Sequence, residues 1–148
     1  MIHKSLRFDP LLKYREFLEE KMKYELADVV AILDLEEKRL FALEEIWRQA
    51  VEELKERQAR EVPPHEIFMY HTYLQHMTLD MEIQRRRVTE VTETYNESKE
   101  ALISASQDKM VVEKVREREI NDRIEQVNKN DKKTMNEIST NKFARDNC

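Results

Sequence analysis

The sequence predicts an all-α fold, a long antiparallel two-helix coiled-coil hairpin. Three observations predict it: 39% of the 148 residues are charged, glycine is absent, and after Pro10 the only prolines are Pro63 and Pro64. Charged residues mixed with aliphatic ones are typical of long helices and coiled coils. Dinucleotide folds and phosphate-binding loops use glycine where the backbone turns tightly or approaches a phosphate, so its absence argues against nucleotide-binding enzymes.

The first helix is predicted over about residues 10–61. Asp9 is expected to be its N-cap and Pro10 its first helical residue, where a missing N–H costs nothing. At 1.5 Å per residue this helix would be about 78 Å long. Steps of four and three from Met22 meet apolar residues at nine of ten positions, the seam of a coiled coil. These positions are Met22, Leu26, Val29, Leu33, Glu36, Leu40, Leu43, Trp47, Ala50 and Leu54.

The second helix is predicted over about residues 66–142, after a turn at about 62–65. Its seam is apolar at eleven of fourteen positions, namely Ile67, Tyr70, Leu74, Met77, Met81, Gln84, Val88, Val91, Tyr95, Ser98, Leu102, Ala105, Lys109 and Val112. Short connections join antiparallel helices, and Pro64 fits the first turn of the second one. We therefore expect residues 1–148 to form a single coiled-coil domain and a monomeric hairpin.

The turn position predicts which residues face each other. With the fold-back near Pro63, residue i lies roughly opposite residue 126 minus i, so Leu11 is expected near Val115. Residues from about 118 onward then overhang at the open end. The 33 residues from 116 carry 15 charges and six asparagines. Two interpretations stay open: a fraying tail, or a helix that a partner orders on binding.

Apolar residues exceed the seam beside the turn. Ile46 flanks the seam residue Trp47, and Tyr73 flanks the seam residue Leu74. By the pairing rule, Ile46, Trp47 and Ala50 lie across from the stretch around Tyr73 and Met77. A two-helix coil buries one narrow stripe on each helix, so part of this cluster should stay exposed as an interaction patch. The alternative is that the aromatic residues only thicken the end of the coil.

No pattern predicts catalysis, a metal or a cofactor. His65, His71 and His76 are spaced six and five apart, not the i, i+4 of a helical zinc site. Carboxylates alternate with Lys and Arg, as on a solvated face. The terminal Cys148 is interpreted as an unpaired bystander. We expect a non-enzyme.

Nucleic-acid binding and membrane insertion are not predicted either. The net charge is −5, and Arg85, Arg86 and Arg87 would spread around a helix rather than line one side. The longest apolar run, residues 29–33, is far too short to span a bilayer. The N-terminus shows no signal peptide, so a cytoplasmic protein is expected.

Three segments resemble the flagellar export protein family FliJ. "SLRFDPLLKYREFLEEK" at 5–21 is similar to the family's opening, "EIFMYHTYLQHM" at 66–77 to the start of its second helix, and "DKKTMNEISTNKFAR" at 131–145 to its C-terminal pattern. Asn136 stands where that pattern usually has Asp, which leaves the role of Glu137 open. The resemblance covers nearly the whole chain.

This resemblance implies a stalk-like component of the type III export apparatus. Its implied partners are the hexameric ring of the export ATPase FliI, the cytoplasmic domain of the export gate protein FlhA, and export chaperones, at the inner membrane of the flagellar base. Carried onto this chain, the gate-facing residues would be Ile46, Trp47, Ala50, Tyr70, Tyr73 and Met77. The ATPase-facing residues would be Arg7, Phe8, Leu12, Arg123, Ile124, Lys133, Met135, Glu137 and Ile138.

Two other functions fit the same sequence pattern. The equivalent stalk of a virulence-type injectisome would have the same architecture, and neighbouring genes would separate it from a flagellar protein. A generic coiled-coil adaptor would form parallel or multi-chain assemblies, whereas the prolines predict a monomeric hairpin that sedimentation would detect.

Overall fold

The computed structural model describes residues 6–147, which form two long helices that pack against each other. Helix α1 spans Asp9–Ala59 and helix α2 spans Pro64–Asp146. No strand occurs within residues 6–147. The all-α hairpin prediction is confirmed. The predicted limits were close, although α1 ends two residues earlier than expected and α2 extends four residues further.

The start of α1 lies one residue before the predicted one. The carbonyl of Phe8 accepts the first helical hydrogen bond, from the N–H of Leu12 at 2.9 Å, so Phe8 holds the N-cap position. Asp9 is therefore the first helical residue, and the N-cap prediction was wrong. The Asp9 carboxylate accepts instead from the Leu6 N–H at 2.9 Å and from Arg116 at 2.6 Å.

The corner between the helices is made without glycine. The N–H of Arg60 donates to the carbonyl of Arg57 at 3.2 Å, and the N–H of Val62 donates to the carbonyl of Arg60 at 2.9 Å. Pro64 is the first residue of α2, and no residue in the described range has a positive φ. The prolines thus set a turn that needs no left-handed residue.

The helix contacts group into two units. The terminal unit combines Met1–Glu20 with Ser104–Cys148, and the turn-side unit is Lys21–Ile103. Each contains one segment of α1 packed on one segment of α2. The assignment of residues 1–148 to a single domain stays a prediction.

The turn-side unit is held by the predicted seam. Every seam position from Met22 to Leu54 and from Ile67 to Leu102 is buried or half-buried. The most buried apolar side chains in this unit are Ala50, Leu54, Met77, Met81 and Val91. The 3.5-residue spacing therefore identified the packed face of both helices.

The terminal unit follows the predicted register. Asp9 is paired with Arg116, where the pairing rule gives residue 117, and the backbone N–H of Arg7 reaches Glu119, the residue that the rule gives. All residues from 121 to 147 are exposed. This segment, 121–147, is the overhang, and it is helical as far as Asp146.

Candidate partner-binding surfaces

The predicted gate-facing residues divide by burial. Ile46 and Tyr73 are exposed, the latter to 49%. Trp47 and Tyr70 are half-buried. Two other members of the set, Ala50 and Met77, are buried in the seam, and Met77 is only 5% exposed. Their side chains can support a surface by packing beneath it, but only the other four residues reach solvent to an appreciable extent.

Two shallow grooves of the turn-side unit involve this set. Met69, Tyr70 and Tyr73 line the first groove. Trp47 lines the second groove together with residues of α2, namely His71, Leu74, Gln75, Thr78 and Leu79. The structure therefore brings Tyr70 and Tyr73 into one surface, and it places Trp47 against the part of α2 that the pairing rule gives.

A hydrogen bond and a cation–π contact hold Tyr70 in place. Its hydroxyl donates to the carboxylate of Glu53 at 3.4 Å, and the Arg57 guanidinium lies 5.9 Å from its ring centroid. Arg57 also pairs with Glu66 at 3.4 Å. The cation over the ring and the acceptor at the hydroxyl fix the orientation of the tyrosine at the edge of the first groove.

Sequence reasoning left several exposed apolar residues out of the gate-facing set. Met69, Leu79 and Ile83 are all more than half exposed. With Tyr73 they form the outer stripe of α2, on a side of the helix that does not carry the seam. Met69 and Ile83 are fourteen residues apart, two heptads, so they share one face of a supercoiled helix. The fourteen-residue spacing of Met69 and Ile83 could have identified this exposed stripe from the sequence.

The overhang carries three apolar members of the predicted ATPase-facing set on one side. Ile124, Met135 and Ile138 are exposed, and so is Val127, which the prediction omitted. At 3.6 residues per turn these four side chains fall within an arc of about 80°. They form the overhang stripe. The predicted charged members, Lys133 and Glu137, are exposed and lie outside that arc.

Glu119 joins two predicted residues, Arg7 in the turn before α1 and Arg123 in α2. One of its carboxylate oxygens accepts from the backbone N–H of Arg7 at 2.8 Å and from the guanidinium of Arg123 at 3.3 Å. Phe8 is half-buried, with the Arg7 guanidinium 5.5 Å from its ring centroid. Leu12 is half-buried as well. The structure thus brings Arg7 and Arg123 to the base of the overhang.

The described residues offer neither a metal-binding cluster nor a membrane-spanning helix. Across residues 6–147 no cluster of three or more His, Cys, Asp or Glu side chains could hold a metal ion. In the same range, no helix combines the length and the apolar character needed to cross a membrane. Cys148 lies outside the described residues.

Comparison with known families decides what these helices are. The model of the family described as "Flagellar FliJ protein" matches residues 3–147. The chain belongs to the FliJ family. This membership implies a stalk-type role in flagellar protein export and a place among the non-enzymatic components of the export apparatus. No curated protein and no solved structure gives a significant match to the chain.

Proposed function

We propose that this FliJ-family chain is a non-enzymatic stalk that couples the flagellar export ATPase to the export gate. In this proposal the overhang and its base, where Arg7 and Arg123 meet Glu119, enter the hexameric ring of FliI. The exposed surface of the turn-side unit binds the cytoplasmic domain of FlhA. The protein would act at the cytoplasmic face of the inner membrane at the flagellar base, and export chaperones would be further partners.

The overhang stripe is the observation that carries the proposal. An isolated helix is marginal in water, and most helical stability in proteins comes from packing of an apolar face. Here 27 consecutive residues are exposed, and Ile124, Val127, Met135 and Ile138 line one side of them. A partner that covers this stripe would supply the missing packing, which is what the wall of a ring would do.

The turn-side surface supports the second half of the proposal. Ile46 on α1 and Tyr73 on α2, both from the predicted set, are exposed. Met69, also on α2, adds a further apolar side chain that is 66% exposed. Tyrosine and methionine are common at interfaces, because tyrosine offers a large rigid surface and methionine adapts to its partner. Ala50 and Met77 would contribute by packing under these residues.

The proposed binding of the overhang to FliI is tested by measuring the affinity of the chain for FliI. We expect Ile124→Ser with Ile138→Ser to weaken binding by about fivefold or more per anchor, since interface anchors contribute about 1–4 kcal/mol each. The matched control is Met110→Ser with Val111→Ser, which changes two exposed apolar residues of α2 outside the overhang. Equal affinities for the two double variants would contradict the proposal.

The gate half needs a separate titration with the cytoplasmic domain of FlhA. Met69→Ser with Tyr73→Ser should weaken binding, whereas Ile103→Ser, an exposed apolar position elsewhere in the turn-side unit, should not. Circular dichroism would show whether each variant keeps its helices. If the first variant is fully helical and binds as well as the unchanged chain, the contacts with FlhA lie elsewhere. That result would leave the proposed binding to FliI unchanged.

A further inference from the structure

The seams of the two units differ in composition. Continued beyond Met22 and Val112 with the same steps, the seam of the terminal unit has nine half-buried or buried positions: Phe8, Leu12, Arg15, Glu19, Ala105, Lys109, Val112, Arg116 and Glu119. Five of the nine are charged. In the turn-side unit, one of twenty-one seam positions is charged, and that residue is Glu36. Along the seam, the terminal unit therefore closes with much less apolar contact, and its further half-buried apolar residues, among them Leu18 and Val115, lie beside the seam.

Cross-helix polar contacts follow the charged positions. Glu19 is only 7% exposed and accepts from the ammonium of Lys109 at 3.0 Å. Arg15 pairs with Asp108 at 3.4 Å. The Asp9–Arg116 pair completes a ladder that runs along the whole packed length of this unit.

The ladder leaves two buried polar atoms unsatisfied. The Nε atom of Arg15 and one carboxylate oxygen of Glu119 are buried without a hydrogen-bond partner, and both atoms belong to the terminal unit. A buried polar atom without a partner costs free energy that is recovered when water reaches it. Separation of the helices here would rehydrate these atoms and the charged pairs, and it would expose fewer apolar side chains than separation of the turn-side seam, among them Leu12, Leu18 and Val112.

We propose that the terminal unit is a charged zipper that opens reversibly, releasing α1 residues 9–20 from α2 residues 104–119 while the turn-side seam stays closed. Local openings of this kind start where few apolar contacts hold a segment. The proposal stands on the composition and contacts of this unit and does not depend on the proposed function.

Opening would lengthen the part of α2 that is free of α1. In the closed form this part begins at Asn121, and opening would extend it back to Ser104 and uncover Ala105 and Val112. The free length of α2 would grow by about 17 residues, or about 25 Å. The zipper would thus set how much of α2 is available outside the hairpin.

Amide hydrogen exchange of the full chain in two salt concentrations tests the opening. Sodium chloride raised from about 0.1 M to about 1 M shortens the screening length from about 10 Å to about 3 Å and weakens partly exposed ion pairs. We expect exchange in residues 12–20 to speed up several-fold, with residues 26–54 unchanged. Equal responses of the two segments, or no response in residues 12–20, would overturn the proposal.

A paired substitution separates zipper opening from ordinary fraying of a helix end. Glu19→Leu with Lys109→Leu replaces the buried pair by apolar seam residues and should slow exchange in residues 12–20 by about tenfold or more, since such replacements are often stabilising. Glu44→Leu with Arg85→Leu removes a cross-helix ion pair of the turn-side unit, 3.5 Å long, and should leave those amides unaffected. If the first variant exchanges like the unchanged chain, the charged seam does not control opening and the proposal is wrong.

Discussion

The side-chain amide of Gln84 donates to two oxygens of Glu36 across the turn-side seam. One bond reaches the Glu36 carboxylate at 2.6 Å and the other reaches its backbone carbonyl at 2.9 Å. Glu36 is only 5% exposed, and the Arg39 guanidinium also donates to its carboxylate, at 3.1 Å. A buried polar layer of this kind stabilises less than apolar packing but fixes the register and number of helices.

Removing one partner of this layer should destabilise the hairpin. Gln84→Ala removes the cross-helix hydrogen bonds to the buried Glu36 and leaves Arg87, at 3.9 Å, as the α2 partner of its carboxylate. We expect a loss of about 1–3 kcal/mol in the free energy of unfolding. Urea titration followed by circular dichroism measures it. Unchanged stability would mean that the layer contributes nothing.

Replacing both partners of the layer should have a different effect. Glu36→Leu with Gln84→Leu should raise the melting temperature while allowing shifted registers or dimers, because the apolar seam no longer specifies one pairing. Sedimentation velocity would detect the dimers. A variant that remains a single monomeric species shows that the prolines alone suffice to set the pairing.

Met77 and Met69 should differ in their effects although both belong to the same helix. Met77 packs in the seam, and Met77→Ala should cost about 2–5 kcal/mol of unfolding free energy. Met69 faces solvent, so Met69→Ala should stay within about 0.5 kcal/mol. Thermal unfolding compares them directly. Equal losses would mean that the seam face of α2 is wrongly identified.

The overhang should contribute little to the stability of the hairpin. Residues 121–147 are all exposed, so a chain ending at Ile120 keeps the seam intact. We expect its melting temperature to stay within about 2 °C of that of the full chain, as for changes away from packed features. A large drop would reveal stabilising contacts of the overhang.

The Asp9–Arg116 pair predicts a pH effect in the terminal unit. The hydrogen bond from Arg116, followed by that from the Leu6 N–H, lowers the pKa of Asp9 below its ordinary 3.8. A lowered carboxyl pKa gives stability that is present above 3.8 and is lost as pH falls through the folded value. Carboxyl titration by NMR should show a midpoint below 3.8 that rises toward it in Arg116→Gln. The same midpoint in both chains would show that Arg116 is not the cause.

The contact between Lys109 and Glu19 predicts a loss of stability at high pH. Its hydrogen bond to Glu19 raises the pKa of Lys109 above its ordinary 10.5. The stability that this pair adds is therefore present below 10.5 and is lost as pH rises through the folded value. We expect deprotonation of Lys109 to lower the local stability of the terminal unit only in strong alkali. Lys109→Met should remove this loss of stability at high pH. An alkaline loss that persists in Lys109→Met would assign it to other groups.

Much of the fold could be predicted because one periodic signal governs it. Apolar residues from Met22 to Leu54 recur every 3.5 residues, and the structure places that face against α2. The N-cap prediction was wrong because the Asp9 carboxylate accepts from the Leu6 N–H before the helix and from Arg116, more than a hundred residues away. A local capping rule does not include such a partner.

The surfaces were harder to predict than the seam. Apolar spacing does not say which side residues remain exposed, so Met77 was grouped with Tyr73 although only Tyr73 reaches solvent. The charged seam of the terminal unit was only partly predicted. Lys109 was placed on the seam as one of its polar positions, but Glu19 lies before the predicted seam began at Met22, and its contact with Lys109 shows that it continues the packed face.

ATP turnover by the flagellar export ATPase of the same organism, with the full chain and with the chain ending at Ile120, tests the stalk proposal most directly. The full chain should stimulate turnover, whereas the shortened chain, still folded, should not. Equal stimulation by both chains, or none by the full chain, would contradict it.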